Sequence, residues 1–151
     1  MLTSCEKMEM KRNKSYVTAE IDGVTYKMDV NDNENNLHTA IPNGLHKQLW
    51  DAQEVENGVR FTYELADMDY KLPGNRKFAV TYTLTDDNEI RLDYEGDSDK
   101  NTVMNLTNHT YFNLSGHGSG TILNHKLKLN CSNYTPVRAG AIPTGEIASV
   151  K

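Results

Sequence analysis

A chain of 151 residues, 37% hydrophobic and 25% charged, is long enough for one domain with a real core and needs no disulfide or metal staples. Its net charge of −5 gives no electrostatic case for a nucleic-acid partner, and no apolar run reaches membrane-spanning length. Aromatic and β-branched residues recur throughout, which excludes wholesale disorder.

Residues 1–15 read as a poorly ordered terminal segment whose basic cluster, Lys11, Arg12 and Lys14, is solvated. The opening residues lack the apolar core of a signal peptide, so a cytoplasmic location is expected. Leu2-Thr3-Ser4-Cys5 has the form of a lipoprotein cleavage box, and it gains weight as a sign of secreted or lipoprotein origin only if the natural gene begins further upstream. From residue 16 to residue 151 one β domain is expected. Tyr16 to Val30 holds Asp22-Gly23 between two alternating runs, the signature of a tight hairpin. Asn31 to Asn36 is a polar loop. Val59, Phe61, Tyr63 and Leu65 then alternate with Arg60, Thr62 and Glu64, a half-buried strand. After the loop Asp67 to Asn75, a second alternation places Phe78, Val80, Tyr82 and Leu84 on one face. Asp86-Asp87-Asn88 turns the chain, and Ile90, Leu92 and Tyr94 continue the pattern. Gly96 to Asn101 and Ser115 to Gly120 are further loops, and Leu127 with Leu129 predicts another short strand. The tail from Tyr134, with Pro136, Gly140, Pro143 and Gly145, reads as an extended loop with no element to close it. The strand count and spacing imply an all-β sandwich.

The most informative stretch is Asn105 to Leu114, NLTNHTYFNL. As a strand it places Thr107, His109, Tyr111 and Asn113 on one face, and Leu106, Phe112 and Leu114 on the other. The polar face suits the floor of a hydrogen-bonding cleft, but spacing alone favours the plainer reading of a face that merely meets water. Among the other histidines, His38 follows a polar loop and suits a cleft edge, while His46 reads as surface. His109, His117 and His125 are eight apart, which matches no common metal spacing. Cys5 and Cys131 lie far apart and neither forms a Cys-x-x-Cys pair. There is no Gly-x-Ser-x-Gly elbow, and no Gly-rich phosphate loop precedes a helix.

NLTNHTYFNL resembles the signature of the aldose 1-epimerase (galactose mutarotase) family, and flanking segments agree with that family in order. They are Ile21 to Tyr26, Asn36-Leu37-His38, Gly44 to Trp50, Leu72-Pro73-Gly74, Val80-Thr81-Tyr82, Asp99 to Thr102, Tyr134 to Val137 and Ile142 to Glu146. The resemblance covers roughly Thr18 to Val150. It implies an incomplete β-sandwich of the galactose mutarotase-like (supersandwich) type. It also implies interconversion of the α and β anomers of free hexoses by acid–base ring opening, without cofactor or metal. By resemblance His109 is the general acid at the ring oxygen, Tyr111 contacts a sugar hydroxyl, and His38 hydrogen-bonds the sugar. The implied partner is a free aldose of galactose or glucose type, with neither nucleic acid nor membrane involved.

The pattern also departs from the family's. The family's base is a glutamate well beyond the Pro-Thr-Gly-Glu segment, so Glu146 does not match it. A sugar-binding aspartate of that region and a Gly-Arg-x-x-Asn-Arg segment before the hairpin have no counterpart here. The two glycines that normally follow the first histidine are Thr39 and Ala40, and a residue is inserted around Ile41-Pro42-Asn43. Three readings follow: a fragment of a mutarotase, a non-catalytic carbohydrate-binding remnant, or an interaction domain completed by another chain. Unpaired strand edges would let a second copy of the chain fill that last role.

Overall fold

The computed structural model describes residues 11–13, 16–40 and 43–150. Two compact units compose it, the first ending at Thr107 and the second starting at Asn108. The architecture is all-β, as the alternation requires, with two short 3-10 turns and no α-helix among the described residues. No helix there is long and apolar enough to cross a membrane. The Leu2 to Cys5 box lies outside the described residues.

In the first unit, β1 (Lys11–Asn13), β2 (Tyr16–Ile21) and β3 (Val24–Met28) form an antiparallel sheet in chain order. The β2–β3 hairpin closes through Asp22 and Gly23 at φ 51° and 74°, with Ile21 opposite Val24. Both turn residues are left-handed, the geometry that matches strand twist and that Asp-Gly accepts at low cost.

The second sheet is a meander of β4 (Asp51–Val55), β5 (Gly58–Leu65), β6 (Arg76–Leu84) and β7 (Ile90–Ser98). Strict register places Phe61, Val80 and Tyr94 in one cross-strand row and Val59, Tyr82 and Leu92 in the next. Phe61 and Tyr82 meet edge to face at 5.9 Å. The opposite face carries Arg60 paired with Glu95, and Glu64 with Lys77 at 2.9 Å. The β6–β7 turn closes at Thr85, whose amide donates to the Glu89 carbonyl (2.9 Å), with Asn88 left-handed. Alternation does not announce β4, because all but its last residue are exposed. Its marker is Asn57-Gly58, where Asn57 takes φ 53° and turns the chain into β5.

The loop between β5 and β6 supplies a central part of the core. Val17, Ala19 and Met28 from the first sheet pack with Leu72 from this loop. The loop is bent tightly, with Met68, Tyr70 and Lys71 all at positive φ. Such residues persist only where their surroundings over-determine them. Here the fully buried Arg76 does so. Its guanidinium donates to the carbonyls of Asp69 (2.6 Å), Leu72 (3.4 Å) and Gly74 (3.2 Å). Burial pulls the Arg76 pKa down from its ordinary value, and Asp69, Tyr70 and Asp67 nearby oppose that pull. Asp67 accepts from the Gly74 amide (2.6 Å) and from Lys100 Nζ (2.7 Å). Asp99 accepts from the Asn75 amide and side chain at 2.8 and 2.6 Å.

The second unit corrects three expectations. Its tail is not an open loop: β8 (Asn133–Tyr134) pairs with β11 (Ala148–Ser149), and β9 (Val137–Arg138) with β10 (Ile142–Pro143). Gly140 and Ala141 turn the inner pair at φ 81° and 55°. Pro136 and Pro143 hide the hairpin from a reading by alternation, because proline breaks the ladder of amide donors. Conversely, the predicted strands at Asn105 to Leu114 and at Leu127 to Leu129 join no ladder among the described residues. Leu114 and Leu127 are 87% and 85% exposed rather than core-packed. Alternation reports which side chains share a face; a strand also needs a neighbour for its amides and carbonyls.

The Asp67 and Asp99 bonds favour the ionised carboxylates. Lys100 is the main cause for Asp67 and the Asn75 side chain for Asp99, and both pKa values fall below the ordinary one. A folded-state pKa below the unfolded one adds stability that is present above the unfolded value, about 4, and is lost as pH falls from there through the folded-state pKa. Urea midpoints measured from pH 6 down to pH 3 should therefore decline for the native chain, and the decline should be shallower for Asp67→Asn with Asp99→Asn. Parallel declines would contradict the assignment.

Candidate functional site

His38 sits at the tip of a turn built by asparagines. Asn31 Oδ1 accepts from the Leu37 amide (2.7 Å) while its Nδ2 donates to the Leu37 carbonyl (3.0 Å). Asn36 Nδ2 donates to the carbonyls of Asp29 and Thr39, both at 2.8 Å. These clamps replace strand pairing, and they hold His38 and Thr39 at φ 51° and 62°. His38 is exposed, and its ring lies edge-on to His46, centroids 5.9 Å apart. His46 was expected to be surface and is exposed, yet its ring adjoins the candidate sugar-contact histidine.

His46 belongs to the 3-10 turn Leu45–Lys47, which is anchored to the four-stranded sheet. Trp50 Nε1 donates to the Leu45 carbonyl (2.9 Å), and the Trp50 ring lies 5.5 Å from Tyr63 of β5. Gln48 accepts from Tyr63 (3.1 Å) and donates to the Asn43 carbonyl (2.7 Å), which also accepts from Tyr70 (2.7 Å). Gly44 is buried where the two turns meet. A Cβ there would lie 2.7 Å from the Ala40 carbonyl oxygen and 3.1 Å from that of His38. Beside this region, His46, Trp50, Phe61, Tyr82, Tyr94 and Thr107 help to line an open apolar groove of about 540 Å³.

His109 and Tyr111 belong to the second unit. Their rings lie 5.4 Å apart at 45°, so the motif brings this imidazole and phenol together. Both are exposed, and Tyr111 is 84% so. Local bonds shape the segment. Asn108 Oδ1 accepts from the Thr110 amide (2.9 Å), and Asn113 Oδ1 from the Ser115 amide (3.0 Å). His125 Nε2 accepts from the Leu114 amide (3.0 Å) and so pins the end of the motif. This bracing role of His125 is one that spacing did not reveal.

The aldose 1-epimerase family model matches residues 16–151. The chain belongs to the aldose 1-epimerase family. It is 40% identical to the galactose mutarotase of Sus scrofa over 134 residues, 89% of this chain and 39% of that protein. It is 41% identical to the aldose 1-epimerase of Haemophilus influenzae over 133 residues, 87% of this chain and 38% of that protein. Among solved structures, a GalM/aldose epimerase homologue from C. elegans matches with a TM-score of 0.74 at 32% identity, over 93% of this chain and 43% of that one. The fold is therefore the epimerase family's, and the chain spans about 39% of the length of such relatives.

Thr39 stands where the family resemblance calls for glycine, and its left-handed φ gives the physical reason. A β-branched residue is strained there, by roughly 1–2 kcal/mol. Thr39→Gly should therefore raise stability by about 0.5–1 kcal/mol, after the greater freedom of glycine in the unfolded chain is deducted. Urea denaturation reads this directly. A loss of about 1 kcal/mol, the usual cost of glycine in a regular element, would contradict the strained turn.

Proposed function

We propose that these residues carry the acid-side part of an aldose 1-epimerase sugar site, with a free hexose of galactose or glucose type as substrate. Anomer exchange opens the pyranose ring. A base removes the proton from the anomeric hydroxyl, the C1–O5 bond breaks to leave an aldehyde, and an acid protonates the departing ring oxygen. Rotation about C1–C2 and reclosure on the other face complete the reaction. In this reading His109 gives its proton to the ring oxygen and takes it back on closure. Tyr111 and His38 hydrogen-bond sugar hydroxyls. The observation that carries the reading is the His109–Tyr111 ring pair at 5.4 Å, inside the segment that resembles the family signature. Imidazole suits the acid role because it exchanges its proton near neutral pH.

Glu146 is not the matching base. It is exposed, and its amide is tied to Thr144 Oγ1 (3.2 Å) within the tail hairpin. Working without a positioned base costs an enzyme about 10² to 10⁴ in rate. Polarimetry on fresh α-D-glucose or α-D-galactose with the 151-residue chain should thus show mutarotation close to the spontaneous rate. In the same sample, D-galactose should move the imidazole NMR signals of His109, while glycerol should not. Turnover like that of a full-length family member, abolished by His109→Asn, would overturn the missing-base reading. Signals that ignore D-galactose would overturn the sugar site.

A further inference from the structure

The asparagine clamps around His38 fix its backbone, but an imidazole that must meet a sugar hydroxyl also needs its two side-chain torsions held. We infer that His46 is a positioning residue for the His38 imidazole, an inference that rests on the sugar-contact reading of His38. The His46 ring meets the His38 ring at 5.9 Å with a 60° interplanar angle, the edge arrangement that aromatic rings favour. The backbone that presents the His46 ring is itself fixed. His46 lies in the middle of the 3-10 turn Leu45–Lys47, which is tied at Leu45 to Trp50 Nε1 and closed by the Lys47 amide on the Gly44 carbonyl (2.8 Å). Trp50 rests against Tyr63, so the path runs from β5 through Trp50 and the turn to His46 and then His38.

Gly44 allows this approach. A Cβ at that position would lie 3.0 Å from His46 Nδ1 as well as 3.1 Å from the His38 carbonyl oxygen. Position 44 is therefore in contact with both histidine segments, and only glycine leaves their spacing undisturbed. An incidental contact between two surface rings would not need such a packed junction beneath it.

The test is NMR of histidine-labelled chain in the native form, His46→Ala and His46→Phe, with Trp50 fluorescence confirming an intact fold. In His46→Ala the His38 ring signals should shift away from their native positions. His46→Phe keeps an aromatic edge without the imidazole nitrogens, and it should return the His38 signals toward their native positions. D-galactose affinity, read at His38, should weaken about threefold to tenfold in His46→Ala and recover in His46→Phe, as loss of one aromatic pair implies. His38 signals identical in the native chain and His46→Ala would overturn the positioning role, whatever the sugar does. His38 signals that respond to His46→Ala in a chain blind to D-galactose would uphold the positioning and overturn the sugar site instead.

Discussion

The first unit depends on one buried cation. Arg76 begins β6, and its guanidinium gathers three carbonyls of the loop that precedes it. That loop contains three left-handed non-glycine residues and would not hold its shape unaided. Held in shape, it delivers Leu72 to Val17, Ala19 and Met28, and so ties the three-stranded sheet to the four-stranded one. A buried charge with unmet donors would be costly, and carbonyl oxygens here take the place of water. Lysine could not substitute, because a single ammonium lacks the fork that spreads donors over separated acceptors.

The site inherits its rigidity from the same framework. Tyr70, inside the Arg76-held loop, donates to the Asn43 carbonyl and so braces the turn that carries His46. His38 adjoins that turn through His46 and Gly44. Packing, loop shape and side-chain placement thus form one chain of cause in the first unit. In the second unit, by contrast, His109 and Tyr111 are shaped by local Asn and His125 bonds rather than by a ladder.

Much of this was legible in the residues. The Asp22-Gly23 hairpin and strands β5, β6 and β7 follow from period-two alternation and turn chemistry, because each has one face against other side chains. Family membership was legible too, from a ten-residue segment too long to recur by chance. Other features were not. β4 is exposed on both faces and carries no periodic signal. The tail hairpin is masked by prolines. The segment from Asn105 to Leu114 alternates as a strand does, but alternation cannot supply a pairing partner. Nothing in the sequence around Arg76 shows which carbonyls will converge on it. The His38–His46 contact joins two turns eight residues apart across a glycine, and only the tertiary path reveals it.

Native-state hydrogen exchange on Arg76→Lys tests the central role of this guanidinium most directly. Losing its fork of charged hydrogen bonds should lower protection by about tenfold or more. The loss should fall together on the loop amides of Met68, Lys71 and Leu72 and on Val17, Ala19 and Met28 in the first sheet. Phe61 and Val80, in the middle of the second sheet, should keep their protection. Loop and first-sheet amides that exchange as in the native chain, or a loss spread evenly over both sheets, would contradict the account.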